Sequence, residues 1–206
     1  EAAGLTPGSR ARAGTIRRME LVWPSLDRLP GYVDALVRGW SPDNLRGRAA
    51  AEEELARIAA DPRGFVASLV DREAKGAPVV LPDGSTAERL PGYVRWMWDG
   101  EFCGSIGLRW QRGTEALPPH CPGHVGYAVV PWKRRRGYAT AALRAILPEA
   151  RAEGLARVEI TTEPDNVASQ RVIEANGGVL VERYRRPPQL GGTPALRYRV
   201  DLAPQA

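Results

Sequence analysis

The chain has 206 residues, 43% of them hydrophobic, enough to bury one substantial core without a second domain. Its net charge of +5 permits an anionic ligand, but the arginines are scattered over the whole chain, which argues against a nucleic-acid binder. Two cysteines without a CxxC exclude a disulfide framework and point to a reducing cytoplasm, and no apolar run reaches membrane-spanning length.

Residues 1–18 are rich in Gly, Ala and Arg without periodicity and are expected to form a flexible leader, with one domain over 19–206. Met19 to Trp23 alternates as a first strand. Leu29, Val33, Leu36 and Val37 recur near helical spacing, and Pro30-Gly31 places the helix start near Tyr32. A second helix spans Arg48 to Ala60, with Ala51, Leu55, Ile58 and Ala59 on one face; Asp61-Pro62 ends it. Gly64 to Val70 reads as a short helix, and Asp71 to Leu90 as a loop.

Tyr93 to Trp98 and Glu101 to Trp110 flank Asp99-Gly100, the pattern of a two-residue hairpin whose turn positions both take positive φ. Val94, Trp96 and Trp98 then share one face, and Phe102, Ile106 and Leu108 share one on the returning strand. After a polar connection, His124 to Val130 is a strand. A zinc site from His120, Cys121 and His124 lacks a fourth ligand and an orderly spacing. The next helix has a stripe of Ala139, Ala142, Leu143, Ile146 and Ala150; Pro148 inside it predicts a bend or an early end, and Gly154 a stop. Arg157 to Thr162 is a strand, Val167 to Ala175 a short helix closed by Asn176-Gly177-Gly178, and Val179 to Arg186 a strand. In the last strand Leu196, Tyr198, Val200 and Leu202 face inward. The sum is a mixed α/β sheet protein.

The chain is organised around Pro131 to Gly154, where a strand runs through a basic turn into an amphipathic helix. The first helical turn leaves N–H groups without partners and carries the positive end of the helix dipole, so anions bind there. Gly137 lets a phosphate approach the backbone, Ala139 keeps the next turn low, Thr140 adds a hydroxyl, and Arg134, Arg135 and Arg136 add charge. Neither GxxxxGK[ST] nor a GxGxxG after a strand is present. Arg134 to Ala139 instead has the form [Q/R]-x-x-G-x-[G/A], which resembles the pyrophosphate turn of the GCN5-related N-acetyltransferases. A second constellation, Asn166 and Ser169 at i and i+3, then Val172-Ile173-Glu174 and Gly177-Gly178, is similar to the second cofactor motif of that superfamily, in the same order and spacing. Pro91 to Leu202 carries the likeness; residues 19–90 share only the element order. The run from Gly123 to Tyr127 and the late Arg197-Tyr198 look most like a bacterial subgroup of predicted acetyltransferases.

That resemblance implies a mostly antiparallel twisted sheet of about seven strands, splayed between the fourth and fifth and flanked by about four helices. It implies acetyl-coenzyme A as cofactor, with its pyrophosphate on the amides of Arg135 to Thr140, Tyr138 and Ala139 among them, and Arg134 opening the turn. The pantetheine arm would pair with Tyr127, Ala128 and Val129, and the amide of Val129 or a neighbour would polarise the thioester carbonyl. Asn166 would contact the arm; Ser169 would do the same or cap its helix. The acceptor would be a small amine, an amino-acid derivative or a peptide, held against the N-terminal helices and the 71–90 loop. The exposed late strands leave room for a homodimer.

The catalytic groups of many members are missing. Ile173 stands where a tyrosine acid is common, and Thr161 where a carboxylate is sometimes found. His124, near the position of a glutamate base in other members, is a candidate base or a strand-end histidine bonded in place. Tyr184 is a candidate acid, and Glu101 and Arg109 are candidate liners of the acceptor pocket. Those gaps also motivate an alternative reading, a coenzyme-binding sensor domain without turnover.

Overall fold

The computed structural model describes residues 18–202. The expected leader lies outside the described residues except for Arg18.

Strand β1 (Glu20–Val22) leads into helix α1 (Leu29–Val37), which starts three residues before the expected point. Pro30 sits in its first turn, where a missing N–H costs nothing. Helix α2 (Arg48–Ala60) has its expected bounds, and Asp61 both ends it and caps α3 (Pro62–Ser68), accepting from the Gly64 amide at 2.9 Å. The expected loop 71–90 holds more structure than its glycines and prolines suggest. It begins within β2 (Val70–Asp71), and β3 (Val79–Val80) pairs with β4 (Thr86–Ala87).

Strands β5 (Gly92–Trp98) and β6 (Phe102–Arg109) form the hairpin, but not by a two-residue turn. Asp99, Gly100 and Glu101 make a three-residue connection, and only Gly100 among them has positive φ. A bulge shifts the register between Met97 and Trp98, so Trp98 faces Phe102 while Met97 faces Gly104. The extra residue flips the face of β6: Phe102 packs with α1 and Trp96, whereas Ile106 and Leu108 lie on the opposite side with Met97. The expectation that Phe102, Ile106 and Leu108 share a face fails for that reason.

Strand β7 (Val125–Val129) pairs with β6, and after a 3-10 turn the long helix α4 (Tyr138–Ala152) follows. Pro148 does not end it; the helix continues to Ala152, with Gly154 left-handed beyond it. Strand β8 (Arg157–Thr162), helix α5 (Val167–Glu174), strand β9 (Val179–Arg185) and strand β10 (Pro194–Asp201) complete the chain.

Apart from the small β3–β4 ribbon, the described strands form two antiparallel sheets, one in the order β1-β5-β6-β7 with β2 on the far end of β5, the other β8-β10-β9. The seven longer strands are therefore split between their fourth and fifth members, β7 and β8. Helices α4 and α5 cover one side with Ala142, Leu143, Ile146, Val158, Ile160 and Ile173 in the core. Helices α1 to α3 cover the other side of the first sheet around Tyr32, Trp40, Phe65, Trp96 and Phe102.

Candidate active site

Where β7 and β8 part, the antiparallel alternation decides which backbone groups are free. The amide of Arg109 donates to the His124 carbonyl and that of Val130 to the Cys103 carbonyl, which fixes the residues of β7 whose groups point at β6. Tyr127 and Val129 fall on the other phase, so their N–H and C=O groups point across the gap toward β8. Two of those carbonyls have partners: Asn44 Nδ2 donates to Tyr127 O at 3.1 Å, and Arg134 Nε to Val129 O at 3.4 Å. The amides of Tyr127 and Val129 face the gap as donors. Ala128 turns its side chain to the α1 side and its backbone to β6, so it lines the gap only as a spacer. Gly104, across the ladder from Val129, has φ +144, and a Cβ there would lie 2.3 Å from the Ala128 carbonyl oxygen.

The turn that follows is shaped by two left-handed residues, Arg135 at φ 62 and Gly137 at φ 77. Gly137 is the N-cap of α4 and has no side chain to fill the cap, so the amides of the first helical turn stay open to a ligand. Arg134, Arg135 and Arg136 are exposed around it. Lys133 is not part of that exposed set: it is buried against Asp99 of the β5–β6 connection. Breaking such a pair from one side costs about 3–5 kcal/mol in other proteins.

The second constellation lies across the gap. Asn166 caps α5, its side-chain oxygen accepting from the Ser169 amide at 3.1 Å. Ser169 is thus free of the capping duty, and its Oγ sits 2.8 Å from the Tyr127 hydroxyl, bridging α5 to β7. Burial raises that hydroxyl to about 12, with the Ser169 bond pulling the other way, so it stays protonated. Asn176 donates to Thr140 O at 3.2 Å and ties the end of α5 to the first turn of α4.

His124 stands at the apex where the two sheets still touch. Its amide donates to Glu159 O at 2.7 Å, and the Glu159 amide donates to His124 Nδ1 at 2.9 Å. The ring is fully buried; burial first, and then the nearby Arg109 charge, lower its pKa to about 4. With Nδ1 accepting and Nε2 carrying the proton, neither nitrogen is free to take up another. Of the two readings of His124, this geometry favours the strand-end histidine bonded in place over the base: it is a staple between β7 and β8.

The other side-chain candidates do not converge. Glu101 pairs with Lys133 beside the turn, whereas Arg109 ends β6 about 25 Å away at the usual strand rise, close to Gly126. The two do not line one pocket. Tyr184 lies on β9, two strands beyond the gap, and its ring is covered by the Arg197 guanidinium at 4.7 Å. On the same face Arg197 pairs with Glu159 at 3.5 Å and Glu182 at 3.3 Å.

Sequence reasoning missed four polar residues. Asn44 and the pair Asp99 and Lys133 act over separations of 83 and 34 residues, and the Asp-Gly pattern accounts for Asp99 without any such partner. On α2, Glu54 accepts from the Tyr32 hydroxyl; burial raises its carboxyl from 4.5 to about 7 against the lowering effect of that bond. A cleft of about 740 Å³, lined by Arg72, Trp110, Arg112, Glu153 and Leu155, lies at the C-terminal end of α4. The helix is 15 residues long, so that cleft is about 22 Å from the arginine turn.

A family model described as an acetyltransferase (GNAT) domain matches residues 34–179. No curated protein matches the chain. Among solved structures, the microcin C7 self-immunity acetyltransferase MccE, in complex with acetyl-CoA and AMP, is 12% identical; the match covers 89% of this chain and 92% of that one, with TM-score 0.58. RimL, a ribosomal L7/L12 α-N-protein acetyltransferase in complex with coenzyme A, is 15% identical over 89% and 93%, with TM-score 0.57. The putative acetyltransferase yncA from Salmonella typhimurium, with acetyl-CoA, is 14% identical over 93% and 97%, with TM-score 0.53.

Proposed function

This chain belongs to the GNAT acetyltransferase family, and from that premise we propose that it transfers an acetyl group from acetyl-coenzyme A to an amine of a small molecule, amino-acid derivative or peptide. One observation carries the reading: a strand edge with outward amides at Tyr127 and Val129 runs directly into an uncapped helix start ringed by three arginines. Few ligands are anionic at one end and amide-bearing along an extended arm. A coenzyme A thioester is both.

The residues present fit that group. The amides from Arg135 to Thr140 hold the pyrophosphate, and Arg134, Arg135 and Arg136 neutralise it. The edge of β7 receives the arm as an added strand, which needs only main-chain groups and explains why the side chains there are merely apolar. The side-chain amide of Asn166 and the Ser169 hydroxyl face the same arm from α5. Bound acetyl-coenzyme A supplies an activated acyl carbon and a good leaving group. The Val129 N–H would donate to the carbonyl oxygen of that acyl group and stabilise the charge developing there as the amine forms its bond to carbon and the C–S bond breaks, coenzyme A leaving as a thiolate that takes up a proton.

The amine must be neutral to attack, so one proton has to leave it. Ile173 is fully buried and His124 is closed to proton uptake, so solvent in the open gap carries that proton. Holding both reactants in one complex then provides most of the rate. Complexes of similar structures with acetyl-CoA or CoA support the reading.

Calorimetry with acetyl-coenzyme A, followed by thiol release against a panel of amines and peptides, tests it. Binding with release establishes the transferase and begins to name its acceptor. Binding without release across a broad panel favours a sensor domain, the reading suggested by Ile173 in place of a proton donor. Absence of binding removes the site assignment.

A further inference from the structure

The geometry points to Asp99 as the positioning residue of the arginine turn: its one carboxylate fixes that turn at both ends, so that it is set for pyrophosphate before any ligand arrives. The inference rests on the cofactor reading above and adds a residue to it.

The turn is a four-residue excursion, Arg134 to Gly137, bracketed by Lys133 before it and Tyr138 after it. Both brackets close on the same group. Lys133 Nζ donates to Asp99 Oδ1 at 3.1 Å and Oδ2 at 2.9 Å, and the Tyr138 hydroxyl donates to Oδ2 at 2.5 Å. The Asp99 and Lys133 side chains are only 9% and 8% exposed, so solvent screens their pairing little. Burial alone would push the Asp99 carboxyl up, but the bonds from Tyr138 and Lys133 overcome it and hold it at about 2. The carboxylate is therefore charged, and bonded at both oxygens, at any working pH.

Something must hold this excursion. A non-glycine residue at φ 62 and a left-handed N-cap two positions later are conformations a free chain seldom occupies together, and no side chain caps α4. An unpinned segment would have to be ordered by the ligand, at a cost in affinity. The clamp instead orders it through a strand connection distant in sequence. Glu101 also reaches Lys133, but its side chain is 67% exposed and its pairing is correspondingly weak.

The sign of the charge shows that the clamp acts through shape. A carboxylate close to a phosphate site repels the ligand unless it is neutralised, and Lys133 neutralises it. All three Nζ protons have acceptors in Asp99 and Glu101, so Lys133 is not itself available to phosphate. Of the four consecutive cations from Lys133 to Arg136, one is buried in the clamp and three are exposed around the turn.

Calorimetric titration of Asp99→Ala with coenzyme A, with its nucleotide half (adenosine 3′-phosphate 5′-diphosphate) and with pantetheine tests the assignment. Affinity for coenzyme A and for the nucleotide half should fall about tenfold or more, while the pantetheine half, which never reaches the turn, binds as before. Equal loss on both halves, or no loss in a folded variant, overturns it. Tyr138→Phe removes one hydroxyl with little risk to folding. A loss of about threefold confined to the nucleotide half is expected, and unchanged binding of that half overturns the clamp even if Asp99→Ala does not fold. Wild-type protein that binds neither coenzyme A nor its nucleotide half refutes the cofactor site itself, and this inference falls with it.

Discussion

The arginine turn and the apex of the splay, at opposite ends of β7, solve opposite problems with the same kinds of group. At the turn, backbone amides are left open and side chains are committed elsewhere, to Asp99 on one side and to solvent on the other. At the apex, backbone and side chain are joined to each other, with His124 and Glu159 exchanging two bonds through the His124 amide and Nδ1. The amides and the glycine of the turn come from one stretch of sequence, and only the group that holds their shape, Asp99, is distant. Closing two sheets at a point needs a side chain from one strand and an amide from another, 35 residues apart.

The contrast can be broken most severely at Gly137. Gly137→Glu adds bulk at φ +77 and a negative charge at the anion site, and should cut coenzyme A affinity at least about 100-fold by calorimetry. Retained affinity would show that the turn is not the phosphate site.

The apex is sharpened by pH. The folded pKa of His124 lies near 4, below its ordinary 6.5, so the unfolded chain binds the proton first as pH falls. The stability this neutral ring provides is complete above pH 6.5 and is lost on acidification toward 4, by up to about 3 kcal/mol. Denaturant melts of wild type and His124→Gln at pH 7 and pH 4 check it. The variant should lose the acid slope, and an unchanged slope would refute the staple.

The helical wall has the reverse sign. Glu54 titrates near 7 in the fold against 4.5 for an ordinary glutamate, so the fold is favoured while it stays protonated and loses stability as pH rises from 4.5 through 7. Glu54→Gln, neutral throughout, should remove that loss and gain about 2 kcal/mol on wild type at pH 8, the full shift being discounted for partial exposure. Thermal melts across that range read it out.

The smallest expected effect is at Asn44. Its exposed bond to Tyr127 O occupies an acceptor on the strand edge, and Asn44→Ala should free that acceptor and tighten coenzyme A binding about twofold. Weaker binding would mean that Asn44 belongs to the cofactor contacts.

Sequence by itself determined the local chemistry of this protein. Helix α2 and strand β8 have the bounds that periodicity and turn residues dictate, and the strand, turn and helix around Gly137 are legible because they are contiguous in the chain. The tertiary structure decided whatever depends on distant partners. The bulge that turns Phe102 away from Ile106 leaves no trace in an alternating pattern, because one inserted residue inverts the phase without changing composition. Asp99 reads as a turn residue until Lys133 and Tyr138 are brought to it, and His124 reads either as a base or as a bonded strand-end histidine until the amide of Glu159 fills its Nδ1. A side chain's protonation and partners belong to its surroundings, and those are assembled only when β5, β7 and β8 meet.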